Sequence, residues 1–364
     1  MKRTRNLMLA TVMGAALALS ACGGSDSDSG GGDGGGSGDK AEGKIGVILP
    51  DTKSSVRWES ADKPALEKAF KAANVDFDIQ NAEGDADKMQ TIADGMITDG
   101  VTVLAIVNLD SDSGAAIEEK AKSQGVKTID YDRLTLGGSA DVYISYDNSK
   151  VGALQGEGLQ KCLGDKDANL IYLNGSPTDN NATLFSQGAH SVLDKNTKYK
   201  KVGEQAVPDW DNEQAVTIFE QLYTKVDGKV EGVYAANDGL AGAVISILDK
   251  NGQAGKVAVT GQDATVEGLQ NILAGDQCMT IQKSATGQAG ALAEVAIAMV
   301  KGEDPETTGT VTDDQGKRDV PAVLLDPVAI DKTNVKAVID AGDMKASELC
   351  TGNFTKLCAD AGIS

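Results

Sequence analysis

Residues 101–133 read VTVLAIVNLDSDSGAAIEEKAKSQGVKTIDYDR, and this stretch decides the fold class. An apolar run at 101–107 is followed by a helical stretch at 115–123, a stop at Gly125 and a second β-rich run at 126–130. Gly is a common residue just past a helix end, because it adopts the left-handed conformation without strain. Continuously apolar strands joined through a helix of this length indicate a parallel sheet covered on both faces.

Working outward, the same alternation fills the body of the chain. Further β-rich runs lie at 45–49, 142–146, 170–173, 230–235, 257–260 and 279–282, and further helical stretches at 61–73, 86–97, 213–225 and 240–250. That is too many units for one ordinary doubly wound sheet, so two similar α/β lobes are expected. The paired strand signals at 126–131 and 142–146, with no helix between them, weigh against an eight-unit barrel.

The start of the chain sets the compartment. Lys2, Arg3 and Arg5 precede an apolar stretch at 7–19 that is interrupted by Gly14 and short for a membrane span. It ends in Leu19-Ser20-Ala21-Cys22-Gly23, which resembles the bacterial lipobox. A signal peptide over 1–21 and lipid on the sulfur of Cys22 are therefore expected, with export out of the cytoplasm. Residues 25–39 are almost entirely Gly, Ser and Asp, so 22–43 reads as a flexible tether that cannot bury a core.

Charge and cysteine use narrow the function. The chain has 34 basic and 54 acidic side chains; the leader takes three basic ones and no acids, leaving 31 and 54, a balance of −23. That sign opposes nucleic acid as a partner. With Cys22 assigned to lipid, Cys162, Cys278, Cys350 and Cys358 permit two disulfides in any of three connectivities. Cys350 with Cys358 closes a short loop and is the preferred pair, leaving Cys162 with Cys278. Zinc is not expected, because the spacings match no zinc pattern and the chain has a single histidine. Nor is calcium: 26–30 (DSDSG) begins like a calcium loop but lacks the later Glu.

Ligands in open parallel sheets bind beyond the carboxyl ends of the strands. The segments there are KSSVRW (53–58), NLD (108–110), YDR (131–133), NGS (174–176), ND (237–238) and QD (262–263). All carry groups that hydrogen-bond hydroxyls, which points to a polyol pocket. At this point the chain resembles the xylose-binding and multi-sugar-binding branch of the periplasmic binding protein family, the ribose-binding-like type served by ABC transporters. The likeness spans 44–349 and is carried by KSSVRW (53–58), YDRL (131–134), YISYDN (143–148), GSPTDNNA (175–182), ANDGL (236–240) and GQDA (261–264).

The resemblance implies a fold of two doubly wound parallel-sheet lobes, 44–147 with 285–321 and 148–284 with 322–364. Three hinge crossings are implied near 146–148, 283–285 and 321–325. It also implies that Trp58 and Trp210 stack on the two faces of a sugar ring, where aromatic rings contribute burial. Arg57 and Arg133 would donate paired hydrogen bonds to hydroxyls, Asp132 and Asp263 would accept them, and Asn237 would do both. Asn181 matches a pocket Asn, with Asn180 as the alternative, and Lys283 corresponds to a pocket or hinge lysine. Since buried charge is costly unless paired, Arg57, Arg133, Asp132 and Asp263 are expected to satisfy one another without sugar. The function implied is that of a monomeric binding component of an ABC importer, closing on a monosaccharide and passing it to the permease, with no cofactor.

Other classes fit less well. Asp132 and Asp263 would be the carboxylate pair of a glycosidase, yet each is expected beside an arginine as an acceptor. No Gly-x-Ser-x-Gly occurs, His190 falls in a helical stretch (184–193) away from any strand end, and 252–256 (GQAGK) lacks the phosphate-loop spacing. A sugar-responsive repressor would carry a DNA-binding head where the leader and tether stand. For the sugar, ANDGL and GQDA point to D-xylose. KSSVRW, YDRL and VPAVLLDPV (320–328) point to glucose, galactose or arabinose binders, some with a sensory or chemotaxis role.

Overall fold

A computed structural model describes residues 43–363. The leader, Cys22 and all of the expected tether but Gly43 lie outside the described residues. In chain order the elements are β1 (Lys44–Leu49), α1 (Lys63–Ala72), β2 (Asp76–Asn81), α2 (Ala86–Thr98), β3 (Val103–Ile106), α3 (Ser111–Ser123), β4 (Lys127–Tyr131) and β5 (Val142–Tyr146). Then follow α4 (Asn148–Leu163), β6 (Ala168–Asn174), α5 (Asn180–Leu193), β7 (Tyr199–Ala206), α6 (Asn212–Lys225), β8 (Gly232–Ala235), α7 (Asp238–Lys250), β9 (Ala258–Val259), α8 (Val266–Ala274) and β10 (Met279–Gln282). The last are α9 (Ala285–Val300), β11 (Gly309–Asp313), β12 (Arg318–Leu325), β13 (Val328–Asp331), and the short helices α10 (Lys336–Asp340), α11 (Ala346–Leu349) and α12 (Phe354–Asp360).

Two parallel sheets organise these elements. The larger runs β11-β12-β5-β4-β3-β1-β2, with only β11 antiparallel to its neighbour; the smaller runs β7-β6-β8-β9. In both, the second strand lies outside the first and the third lies on its other side. Each sheet therefore reverses direction at its first strand, where a crevice opens at the carboxyl ends. Backbone bonds from Cys278 N–H to Val259 O and from Ile281 N–H to Gly261 O attach β10 beside the smaller sheet, and β13 pairs antiparallel with β10. The fold is the doubly wound α/β arrangement expected from the strand–helix alternation.

Burial follows from the residue pattern. The interior strands β3, β5 and β8 are buried throughout, whereas β2 and β7, at the edges, alternate or stay half-exposed. The larger sheet has a core on each face, one built on Phe70, Leu66 and α9, the other on Met89, Met96 and Ile117. The smaller sheet has its own, around Tyr172, Phe185, Phe219 and Tyr234. Helices α4 and α5 press together so closely that a Cβ at Gly152 would lie 1.9 Å from Phe185 O. A side chain there would force the helices apart.

Two features refine the boundaries. The third crossing, expected near 321–325 with the lobe boundary after 321, comes a few residues later: Ala322–Leu325 of β12 pair in parallel with Tyr143–Tyr146 of β5, so the chain stays in the larger sheet through Leu325. Asp326 and Pro327 make the change instead, and Pro327 brings no N–H to extend the ladder. Cys162 is joined to Cys278 and Cys350 to Cys358, with Cα separations of 6.4 and 5.7 Å. The second bridge sits in a small C-terminal core that covers α8.

Candidate functional site

The site starts from the strand ends. Beyond β1, the segment Ser54-Ser55-Val56-Arg57-Trp58 leads into a π-helical turn, Trp58–Asp62. Beyond β4 come Asp132 and Arg133, and beyond β6 the start of α5 brings Asn181. A 3-10 turn after β7, Pro208–Trp210, brings Trp210. Asn237 follows β8, Asp263 follows β9 and Lys283 follows β10. All nine expected side chains, Arg57, Trp58, Asp132, Arg133, Asn181, Trp210, Asn237, Asp263 and Lys283, line one cavity between the two sets of strand ends. The space among these side chains, counted together with the solvent it opens to, is about 360 Å³.

Strained backbone holds several of these groups in place. Asp132 (φ +66°), Asp209 (+54°), Trp210 (+56°), Asp263 (+93°) and Ala264 (+49°) all occupy positive φ without being glycine. Such conformations cost of order 1–3 kcal/mol each and persist where the surroundings enforce them. At Asp132 the enforcement is visible. Its carbonyl accepts from Ser145 Oγ (2.8 Å), Asn181 Nδ2 (2.9 Å) and the Tyr143 hydroxyl (3.1 Å). The Trp210 ring lies against Gly175, where a Cβ would come 2.0 Å from Cη2. Its Nε1–H donates to Asp179 Oδ2 at 3.1 Å.

The expected mutual pairing of Arg57, Arg133, Asp132 and Asp263 is corrected by the structure. Arg57 does reach Asp132, at 3.3 Å, but its main partner is Asp62, contacted by Nε at 2.9 Å and Nη2 at 2.7 Å. Arg133 Nε faces Asp179 at 3.2 Å, and Asp263 pairs with Lys283 at 3.3 Å. Proximity explains this: Asp62 lies one turn after Arg57, and Lys283 directly follows β10, to which the Asp263 backbone is bonded. Arg57 also donates to Gln288 (2.9 Å), and its guanidinium lies 4.5 Å from the Trp58 ring centroid.

Electrostatics follow from burial opposed by these partners. Desolvation would weaken the Arg57 charge, but Asp62 and Asp132 outweigh it and hold the guanidinium well above its usual range. Burial pushes the Asp62 carboxyl up, while Arg57 and the Tyr131 hydroxyl pull it back. The two directions disagree about the pair. The two-point contact with a guanidinium that does not deprotonate favours an ionised Asp62. Burial opposes the Asp132 charge as well, yet Lys283, Arg57 and Arg133 together hold that carboxyl below its usual value. Asp179 is pushed up by desolvation against the pull of Arg133.

Counting Asp62 and Asp179, three cations meet four carboxylates, and each charge has an opposite neighbour. The excess is one carboxylate, and no cation is left unpaired for an anionic ligand. The wall combines rings with donors and acceptors for neutral hydroxyls. Phe185, Ser54, Ser55, Asp179 and Gln262 also line it; Ser54, Ser55, Asp179 and Gln262 lay in the quoted segments without being singled out, and Phe185 was missed. Phe185 sits four residues after Asn181, on the same helix face, and that spacing was the available signal. His190 lies away from the cavity, its ring stacked on Tyr172 at 4.3 Å.

With this geometry in hand, the comparisons are informative. The periplasmic binding protein domain profile matches residues 45–304. The D-xylose-binding periplasmic protein of Escherichia coli is 36% identical over 312 residues, covering 85% of this chain and 93% of that protein. The multiple sugar-binding periplasmic receptor ChvE of Rhizobium radiobacter is 35% identical over 330 residues, 85% of this chain and 92% of that one. Among solved structures, an ABC transporter solute binding protein from Clostridium phytofermentans with bound β-D-glucose superposes with a TM-score of 0.76. It is 29% identical and covers 84% of this chain and 99% of that one. The paired parallel sheets, the cavity at their strand ends and this extent of similarity lead to one statement: the chain belongs to the periplasmic binding protein family.

Proposed function

We propose that this protein captures a monosaccharide, D-xylose in the first instance, and delivers it to the permease of an ABC importer. The observation that carries the reading is the cavity itself. Two tryptophans and a phenylalanine supply apolar surface for a sugar ring, and charge-compensated arginine, aspartate, asparagine and lysine side chains supply hydroxyl contacts. The named ligands of the relatives, xylose above all, support this class, and membership of a binding-protein family supports binding over catalysis. Asp132 and Asp263 are committed to cations and amides, as acceptors are, and serve to grip hydroxyls.

Closure couples binding to delivery. Asp132 and Arg133 come from the larger sheet and Asn181 and Asp179 from the smaller, and they touch across the cleft. A ligand held from both sides favours the closed form. The lobes divide as 44–147 with 285–325 and 148–284 with 326–364, joined at three crossings. The protein acts as a monomer outside the cytoplasm, tethered through lipid on Cys22; no helix among the described residues is long and apolar enough to cross a membrane. Nucleic acid is not a partner and no metal is required.

The test is a thermal-shift and calorimetry panel of D-xylose, D-glucose, D-galactose and L-arabinose. A ligand bound only by the folded form raises the melting temperature by mass action. D-xylose is expected to give the largest shift, and no shift with any of the four would remove the sugar reading. The second reading, a glucose, galactose or arabinose binder that also serves a sensor, is favoured by the similarity to ChvE, named a receptor. It predicts a larger shift with one of those three sugars.

A further inference from the structure

Gln262 lies in the cavity wall between residues of known pairing, yet its own side chain is unpaired. It is 3% exposed, and its Oε1 is buried with no hydrogen-bond partner among the described residues. A buried amide oxygen without a partner is costly, and native structures keep few of them. A simple escape would be rotation of the backbone, but the chain on both sides of Gln262 is pinned. Its carbonyl accepts from Asp238 N–H at 3.0 Å, Gly261 O accepts from Ile281 N–H at 3.2 Å, and Asp263 N–H donates to Ile281 O at 2.7 Å.

The pin has an anchor. The buried Asp238 carboxyl accepts from Thr265 N–H (2.8 Å), Gln277 Nε2 (2.9 Å) and Thr280 Oγ1 (2.8 Å). It fills the space beside Gly261 so fully that a Cβ there would lie 2.1 Å from its Oδ1. These bonds hold the backbone of 261–265, with Asp263 at positive φ, in the arrangement that makes Gln262 a lining residue of the cavity. Its neighbours Asp263 and Lys283 are paired to each other. Gln262 therefore supplies, in that part of the wall, a neutral group carrying both a donor and an acceptor.

We infer that Gln262 is a specificity-determining residue: its amide reads one ligand hydroxyl, donating and accepting where the flanking ion pair cannot. The inference rests on the proposed monosaccharide function and deepens it. A pocket built to hydrogen-bond a hydroxyl discriminates strongly against an analogue that lacks it, because the buried group is then left without a partner. The ligand class that follows is a neutral polyol with a free hydroxyl at this corner, and the matching monodeoxy sugar binds more weakly.

The test compares wild type with Gln262→Met, of similar size and without the amide, by calorimetry with D-xylose and each monodeoxy-D-xylose. Alongside these, the melting temperature of the sugar-free protein is measured. The expected results are roughly ten- to hundredfold weaker D-xylose binding by Q262M, and a sugar-free melting temperature equal to or above wild type. One monodeoxy sugar that loses tenfold or more on wild type should bind both proteins about equally. Q262M binding within twofold of wild type, or repeating every deoxy-sugar loss in full, overturns the inference. Should Q262M not fold, Gln262→Ala carries the same comparison. Where wild type binds one of the other panel sugars instead, that sugar and its monodeoxy forms take the place of xylose. Wild type binding no monosaccharide would sink the functional reading and this inference together. Normal wild-type binding with an indifferent Q262M sinks this inference alone.

Discussion

Replacing Asp62 by Ala tests whether the site is built on a buried ion pair. Asp62 is fully buried; it takes two bonds from Arg57, at 2.9 and 2.7 Å, and one from the Tyr131 hydroxyl. Removing one partner of a buried pair leaves an uncompensated charge and costs about 3–5 kcal/mol. Arg57 would retain Asp132 at 3.3 Å and Gln288 at 2.9 Å, which places the cost at the lower end, about 3 kcal/mol. For a lobe of this size each kcal/mol moves the midpoint by about 2–4 °C, so sugar-free D62A should melt about 6–12 °C below wild type. Circular dichroism melts of the sugar-free protein read this directly. The double variant R57M/D62L removes both charges and replaces them with apolar volume, so it should recover a large part of the loss. D62A melting within 2 °C of wild type, or a double variant worse than D62A, refutes the reasoning.

Asp263→Ala removes a carboxylate acceptor from the cavity wall and frees Lys283, 3.3 Å away. A charged hydrogen bond of about 1.5–3 kcal/mol corresponds to roughly 10- to 150-fold weaker sugar binding, and near-native affinity in calorimetry would contradict the assignment. The two disulfides differ in the loop they close, with sequence separations of 116 for Cys162–Cys278 and 8 for Cys350–Cys358. Loop-closure entropy assigns about 5 kcal/mol to the first and about 2.5 kcal/mol to the second. Urea midpoints of C162A/C278A should therefore fall further than those of C350A/C358A. Burial pushes the Asp238 carboxyl up to about 7 against the pull of its hydrogen bonds from Gln277, Thr265 and Thr280. A carboxyl with a raised folded value adds stability below its unfolded value of 3.8, and that contribution is lost as pH rises to about 7. Stability measured at intervals from pH 4 to 8 should thus carry a downward component in wild type that is missing in Asp238→Asn, whatever the absolute stability of the variant. Parallel profiles would count against it.

What the sequence alone determined was set by local pattern. Apolar runs such as 101–107 and 126–130, joined through a helix, encode parallel strands wherever they sit, and β3 and β4 duly form there. The polar residues just after those runs must lie at strand carboxyl ends, so Asp132, Asn237 and Asp263 were legible one by one. Tertiary structure alone decided who pairs with whom. Arg133 meets Asp179 across the cleft, and β12 stays in the larger sheet to Leu325 through pairing with β5. Gln262 is left without a partner because Asp238 and Ile281 hold its backbone. These relations join residues from 18 to 179 positions apart, and no local periodicity carries them. They depend on how the sheets and the segments after their strands come together, a balance of burial against charge pairing that only the folded chain resolves.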